Sequence, residues 1–253
     1  MKKTALLRAL CLILTLTFLL SACSASASRE DGEEETTAAD APVSGTPKKR
    51  VALTYDDGPH NVRTPQIVDE LDKYGFHATF FVVGNRVDGT DYNGGDAMLY
   101  AIEHGNEIGI HGYTHEYYYN KCSDKIYNSE INQTKQAIRE QKTGYKIRLM
   151  RPIGGAITSA RVEESPYSII LWDVDSEDWK YKYEENGVDV IVENVLENVS
   201  DGSIILMHDL YEATYEATVI ILEELDRMGY EVVTVSELLG DERVAGEKYS
   251  RLD

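Results

Sequence analysis

Cysteine is nearly missing from this chain. Of three in 253 residues, Cys11 and Cys23 lie close to the N-terminus, so only Cys122 falls in the part with the composition of a folded domain. A disulfide framework and a thiolate metal cluster each need more than one, and both are excluded there. Cys122 stands in a polar stretch and reads as a tolerated surface or half-buried thiol. Positive charge is also scarce: 25 lysines and arginines face 44 aspartates and glutamates, for a net charge of −19. Phosphate-rich partners need basic clusters that release counterions. None stands out beyond Lys48-Lys49-Arg50, which marks the start of the domain, so no nucleic-acid partner is expected. There is no internal repeat.

Long apolar runs are limited to one. Lys2, Lys3 and Arg8 precede a run from Ala9 to Leu20, which is short of the roughly 20 residues a bilayer span needs and has the layout of a secretory signal. It ends in Leu20-Ser21-Ala22-Cys23, similar to a bacterial lipobox, whose cysteine is lipidated. Residues 1–22 therefore read as a lipoprotein signal peptide, and 23–48 as a flexible acidic tether too poor in large apolar residues to fold. A folded domain follows over 49–240, then a loosely ordered, charged tail over 241–253. Loss of residues 1–22 removes three positive charges and no acids, which takes the net charge to −22. The expectation is a monomer anchored through Cys23 at the outer face of a bacterial membrane, in the cell envelope.

Within the domain, seven short apolar runs alternate with helical patterns. The runs are Val51–Thr54, Ala78–Val83, Glu107–Ile110, Arg148–Met150, Ser168–Trp172, Ser203–Met207 and Glu231–Thr234. Helices are predicted over Thr64–Tyr74, Asp96–His104, Lys125–Thr143, Val188–Val199 and Thr214–Met228, where residues such as Ile67, Leu71 and Tyr74 recur at helical spacing. This alternation predicts a parallel α/β sheet or barrel. Chemistry in such folds gathers on the loops after the strands. Asp56 and Asp57, His111 and His115, Arg151, Asp173 to Asp178, and His208 each follow one of the runs.

Two adjacent carboxylates at a strand-to-loop junction are costly unless they do work. Neighbouring side chains on an extended backbone point oppositely, so Asp56 and Asp57 can differ in role, one holding a cation and the other moving a proton. His111-Gly112-Tyr113-Thr114-His115 carries imidazoles four apart, a spacing that suits a metal with nitrogen ligands. With one aspartate they form a three-ligand set that leaves positions open to water and substrate.

The chain resembles the polysaccharide deacetylases of carbohydrate esterase family four from about Arg50 to Leu239. Five motif blocks stand in that family's order: Thr54-Tyr55-Asp56-Asp57-Gly58-Pro59, His111 to His115, Arg151-Pro152, Asp175-Ser176-Glu177-Asp178-Trp179 and Leu206-Met207-His208. The resemblance implies an α/β fold, a distorted (β/α) barrel with about seven parallel strands. It implies Asp57, His111 and His115 as ligands of Zn2+, with Co2+ or another divalent ion able to replace it. Asp56 would be the general base and His208 the proton donor. Asp178, or alternatively Asp175, would orient His208, and Arg151 would partner Asp56. Gly154, Trp179 and Leu206 would contact the polysaccharide, whereas Trp172 reads as core.

Two positions depart from the family pattern. Gly154, within Arg151-Pro152-Ile153-Gly154-Gly155, replaces an aromatic; its backbone N–H remains for an oxyanion but the ring wall is lost. Gly112 stands where a small hydroxyl residue is common. The implied activity is removal of acetyl groups from N-acetylated sugars of an extracellular polymer, peptidoglycan foremost. Chitin oligomers, an exopolysaccharide and O-acetylated xylan are alternative substrates, and a non-catalytic wall-binding protein on the same fold is the alternative of another class.

Overall fold

The computed structural model describes residues 48–90, 93–142, 144–240 and 243–252. The signal peptide, Cys23 and nearly all of the tether fall on residues 1–47, outside the described residues. No helix among those described is long and apolar enough to cross a membrane.

Nine strands appear among the described residues: β1 (Lys49–Asp56), β2 (Thr79–Val82), β3 (Glu107–Ile110), β4 (Leu149–Met150), β5 (Ser168–Ile170), β6 (Val174–Asp175), β7 (Ile204–His208), β8 (Tyr230–Val232) and β9 (Lys248–Tyr249). Between them run α1 (Arg63–Asp72), α2 (Gly84–Val87), α3 (Gly95–Glu103), α4 (Asp124–Gln141), α5 (Ser159–Glu163), α6 (Asp178–Tyr181), α7 (Gly187–Leu196), α8 (Glu212–Arg227) and α9 (Val235–Leu239). The strands pair in parallel in the order β6-β7-β1-β2-β3-β4-β5-β9, and β8 pairs with the start of β1. The chain leaves β5 on one side of this row and enters β6, on the other side, after three intervening residues. The sheet is thereby curled into a distorted (β/α) barrel.

Alternation along the strands sorts two cores. Val51, Leu53 and Tyr55 of β1, with Ile205 and Met207 of β7, pack outward against Ile67 and Leu71 of α1, Ile191 of α7 and Ile221 and Leu222 of α8. Ala52 and Ile204, with Phe81, Leu149 and Ile170, fill the smaller inner cluster. The inward parity continues through Thr54 and Asp56 on β1 and through Leu206 and His208 on β7. Asp56 and His208 are partners in the β1–β7 register, so two strand ends deliver both groups to one rim.

All seven apolar runs form strands, and the five predicted helices correspond to α1, α3, α4, α7 and α8. Two strands are additional. β6 has only two residues, and its pairing with β7 is imposed by the closing sheet rather than by any pattern of its own. β9 lies in the segment expected to be a loose tail. There Leu171 N donates to Tyr249 O at 2.7 Å, Ser203 and Arg251 form an antiparallel bridge, and Leu252 N donates to Gly202 O at 2.8 Å. The correction has a simple cause: Tyr249 and Leu252, half-buried against the inner core, are too few to make a periodic signal.

Gly202 is the tightest point of that closure. Its φ is +86°, and a Cβ there would lie 2.2 Å from Leu252 O. Gly202→Ala is expected to cost about 1–3 kcal/mol in denaturant unfolding and to raise amide hydrogen exchange across 247–252. Unchanged exchange in that segment would show that it does not depend on this contact.

Candidate active site

The strand ends converge on a cavity of about 380 Å³, lined by Asp56, Asp57, His111, His115, Tyr118, Ile153, Gly154, Trp172, Asp175, Trp179, Leu206 and His208. Every residue given a site role from the sequence lines it except Arg151 and Asp178, which lie fully buried behind it. Three non-glycine residues adopt positive φ among those described: Asp57 (70°), His115 (62°) and Glu177 (54°). All three sit on rim loops, and strain of this kind persists where the surroundings over-determine it. The turn at Asp57 also modifies the strand-alternation reading. Asp57 has left the extended backbone, so it faces the same cavity as Asp56 rather than the opposite side.

Arg151 is the largest fully buried side chain. Its Nη1 donates to Thr54 Oγ1 at 2.7 Å and to Asp56 Oδ1 at 2.9 Å, its Nε to Ile170 O at 3.2 Å and its Nη2 to Leu171 O at 2.9 Å. The guanidinium carbon lies 4.4 Å from the centre of the Phe81 ring and 5.6 Å from that of Trp172. Trp172, expected in the core, is half-buried and shared between this contact and the cavity wall. Asp56 Oδ2 remains on the cavity side, 3.7 Å from His111 Nε2.

His111 Nδ1 is held by Arg151 O at 2.8 Å, which leaves Nε2 facing inward. His111 Nε2 and His115 Nε2 lie 3.3 and 3.0 Å from Asp57 Oδ1. Despite those distances, Asp57 Oδ1 is buried without a properly aligned hydrogen bond. The three donor atoms lie within 4.8 Å of one another and are aimed at a shared point rather than at each other. Two imidazole nitrogens and one carboxylate oxygen so arranged fit a divalent cation. Burial alone would raise the Asp57 carboxyl, but the two imidazoles outweigh it and hold the group well below the usual carboxylate range.

Asp178 lies directly against His208. Its Oδ1 contacts His208 Nδ1 at 2.7 Å and accepts from Trp179 N at 2.7 Å, while its Oδ2 accepts from His208 N and Thr214 Oγ1, each at 2.7 Å. Asp175, the alternative partner, instead accepts from Glu177 N at 2.9 Å. Burial lowers the His208 pKa, yet the Asp178 carboxylate more than compensates and the value is pushed up to about 9. With Nδ1 tied to Asp178, Nε2 is the nitrogen left for chemistry.

Both glycine departures meet a tyrosine. A Cβ on Gly154, whose φ is +58°, would lie 2.9 Å from Tyr118 Cε1, and one on Gly112 (φ +107°) would lie 2.6 Å from Tyr119 Oη. Tyr118 is 52% exposed and forms cavity wall, whereas Tyr119 is fully buried. The glycines are therefore spaces occupied by consecutive rings of the β3–α4 loop. Sequence reasoning missed Tyr118; the available signal was the run Tyr117-Tyr118-Tyr119 just beyond His115.

The family profile described as polysaccharide deacetylase matches residues 44–165. The peptidoglycan-N-acetylglucosamine deacetylase PgdA of Listeria monocytogenes is 36% identical over 201 residues, covering 79% of this chain and 41% of that protein. The chain thus spans about two-fifths of the length of that curated relative. The structure of the peptidoglycan deacetylase PdaC from Bacillus subtilis superposes with a TM-score of 0.69 at 38% identity, covering 76% of this chain and 90% of that one. A family 4 acetyl xylan esterase from Clostridium thermocellum, solved with a cobalt ion, gives a TM-score of 0.71 at 30% identity, covering 81% and 99%.

Ligation by these three residues is testable without any substrate. Zn2+ at a hundredfold excess over its dissociation constant is expected to stabilise the protein by about 2.7 kcal/mol. His115→Ala, at a partly exposed side chain, should remove that zinc-dependent rise in melting temperature. A full rise retained in the variant would exclude His115 as a ligand.

Proposed function

The chain belongs to the polysaccharide deacetylases of carbohydrate esterase family four, and on that premise we propose that it is a metal-dependent hydrolase removing acetyl groups from N-acetylated sugars of peptidoglycan. The observation that carries the reading is the convergence of Asp57, His111 and His115 on one point, with Asp56 and His208 on the wall of the same cavity. PgdA and PdaC, which act by name on peptidoglycan, support the polymer; the similarity to an acetyl xylan esterase keeps O-acetyl sugars as the competing substrate. The proposal includes an envelope location, with Cys23 as a lipid anchor and residues 23–48 as tether, supported by the apolar run and lipobox-like ending.

The proposed chemistry divides among the side chains as their contacts allow. A divalent cation, zinc in this reading, would lower the pKa of water and polarise the acetyl carbonyl. Asp56, with Oδ1 occupied by Arg151, uses Oδ2 to take the proton of the attacking water. The Gly154 backbone N–H, at the cavity wall, donates to the developing oxyanion. His208 gives its Nε2 proton to the departing amine, and Asp178 fixes the tautomer from the far side of the ring. Tyr118, Trp179 and Leu206 provide apolar surface against which a sugar ring can lie.

The direct test is acetate release from purified peptidoglycan, chitin oligomers and acetylated xylan by the zinc-loaded full chain. Asp56→Asn should lower the rate by about 10²–10⁴-fold with zinc binding retained. Release undiminished in that variant would remove Asp56 as the base, and release from xylan alone would replace the peptidoglycan reading.

The pH profile tests His208. A proton donor held near 9 stays protonated at neutral pH and loses its proton as pH rises, so activity has an alkaline limb. A bound cation repels the imidazolium and brings that limb below 9. Asp178→Asn removes the opposing carboxylate and should shift the limb by about one unit or more toward acid. An alkaline limb that does not move would show that His208 is not the titrating donor.

A further inference from the structure

On the barrel rim opposite the cavity, the outer face of α4 and the segments entering β4 and β5 border an open, shallow trough. Three adjoining depressions of about 460, 540 and 190 Å³ make it up, and Lys135 borders all three. Arg139, Lys146 and Arg148 line the central one with it. Beside Arg161, which is paired with Asp124, these four cations around one groove are unusual for a chain of net charge −19. Nine other lysines and arginines lie within 4.0 Å of a carboxylate. None of these four does so among the described residues. Arg148 meets the field of Glu107 only at longer range, and that carboxylate is engaged by Ser236. The trough's own acids are Glu140, which accepts from Gln136, and Glu164 at the far end.

Clustered like charges raise the free energy of the folded chain unless an anion offsets them. Lys135 and Arg139 stand one helical turn apart, about 6 Å along the α4 axis, with Asn132 and Gln136 on the same wall. Cations interleaved with amides suit an anionic strand that also carries hydroxyls. Stacking of nucleic-acid bases would require free ring faces, and two of the three tyrosines here lack them. Tyr167 is 6% exposed, Tyr127 lies beneath Arg161 with 4.7 Å between guanidinium carbon and ring centre, and half-buried Tyr145 uses its hydroxyl to accept from Ile108 N.

We propose that the α4 trough binds a linear anionic glycan, with Lys135 and Arg139 as its central contacts. The site is separate from the deacetylase cavity and does not depend on that activity. Binding of the full chain to polygalacturonate, inorganic polyphosphate and a mixed-sequence single-stranded oligonucleotide can be followed across a salt series. Lys135→Gln with Arg139→Gln would be compared with Lys49→Gln and Lys125→Gln, an equal loss of charge outside the trough; unchanged thermal melting would verify folding.

Polygalacturonate is expected to bind the wild type. The trough variant should bind about tenfold more weakly or worse, and its log–log salt slope should fall by about two. The control pair should stay within about twofold of the wild type on the same reasoning. Absence of polygalacturonate binding, or an equal loss in the control pair, would overturn the proposal. Binding of polyphosphate alone would reassign the trough to phosphate polymers, and tighter binding of the oligonucleotide would reassign it to nucleic acid.

Discussion

Burying a guanidinium inside a small barrel is tolerable only when its donors are met, because the desolvation of an unpaired charge costs several kcal/mol. Arg151 meets that condition by reaching across the interior, to Thr54 and Asp56 on β1 and to the carbonyls of Ile170 and Leu171 at the end of β5. One side chain thereby fixes the separation of strands that are not neighbours in the sheet. Its own carbonyl orients His111, so the same residue positions the proposed base and one proposed ligand. Each partner is a condition on the fold: β5 must end where its carbonyls face inward, and β1 must present Thr54 and Asp56 with the same parity. The distorted closure of the barrel, through β6 rather than through a full complement of long strands, is compatible with both.

What could be read from the chain, and what could not, divides by how local the determinant is. Strands β1 and β7 are legible because burial on both faces writes an uninterrupted apolar run. Asp56, Asp57, His111, His115 and His208 are legible because charged or imidazole side chains directly after such runs have few structural reasons to be there. β6 and β9 are not legible, since a two-residue strand is defined by the edge it meets. The loss attributed to Gly154 is misleading in isolation: the ring occupying that space, Tyr118, comes from another loop. The α4 trough escaped for the same reason, its cations being spread from Lys135 to Arg148 and gathered only by the packing of α4 against the approach to β4.

The carboxylates around the cavity also indicate where a metal belongs. Asp56 has a permanent cation in Arg151, and Asp178 has an imidazole whose proton is retained to about pH 9. Asp209, buried beneath the Asp57–Gly58 turn, receives a hydrogen bond from Thr64 and has no ion pair among the described residues, the charge on His208 offsetting its burial only in part. Burial pushes its carboxyl up to about 7, so it responds to the crowding by keeping its proton over much of the range in which its neighbours are charged. Asp57 is different from all three. It is held strongly ionised by the imidazoles at its Oδ1, which have no carboxylate of their own beyond Asp56, and that oxygen lacks an aligned hydrogen bond. Two imidazolium protons could neutralise it, but only by placing two like charges beside each other with ring centres 5.3 Å apart. A single divalent cation neutralises the carboxylate, leaves both imidazoles uncharged and satisfies all three donors at once. Metal binding is thus the arrangement in which each charge around this cavity has a partner.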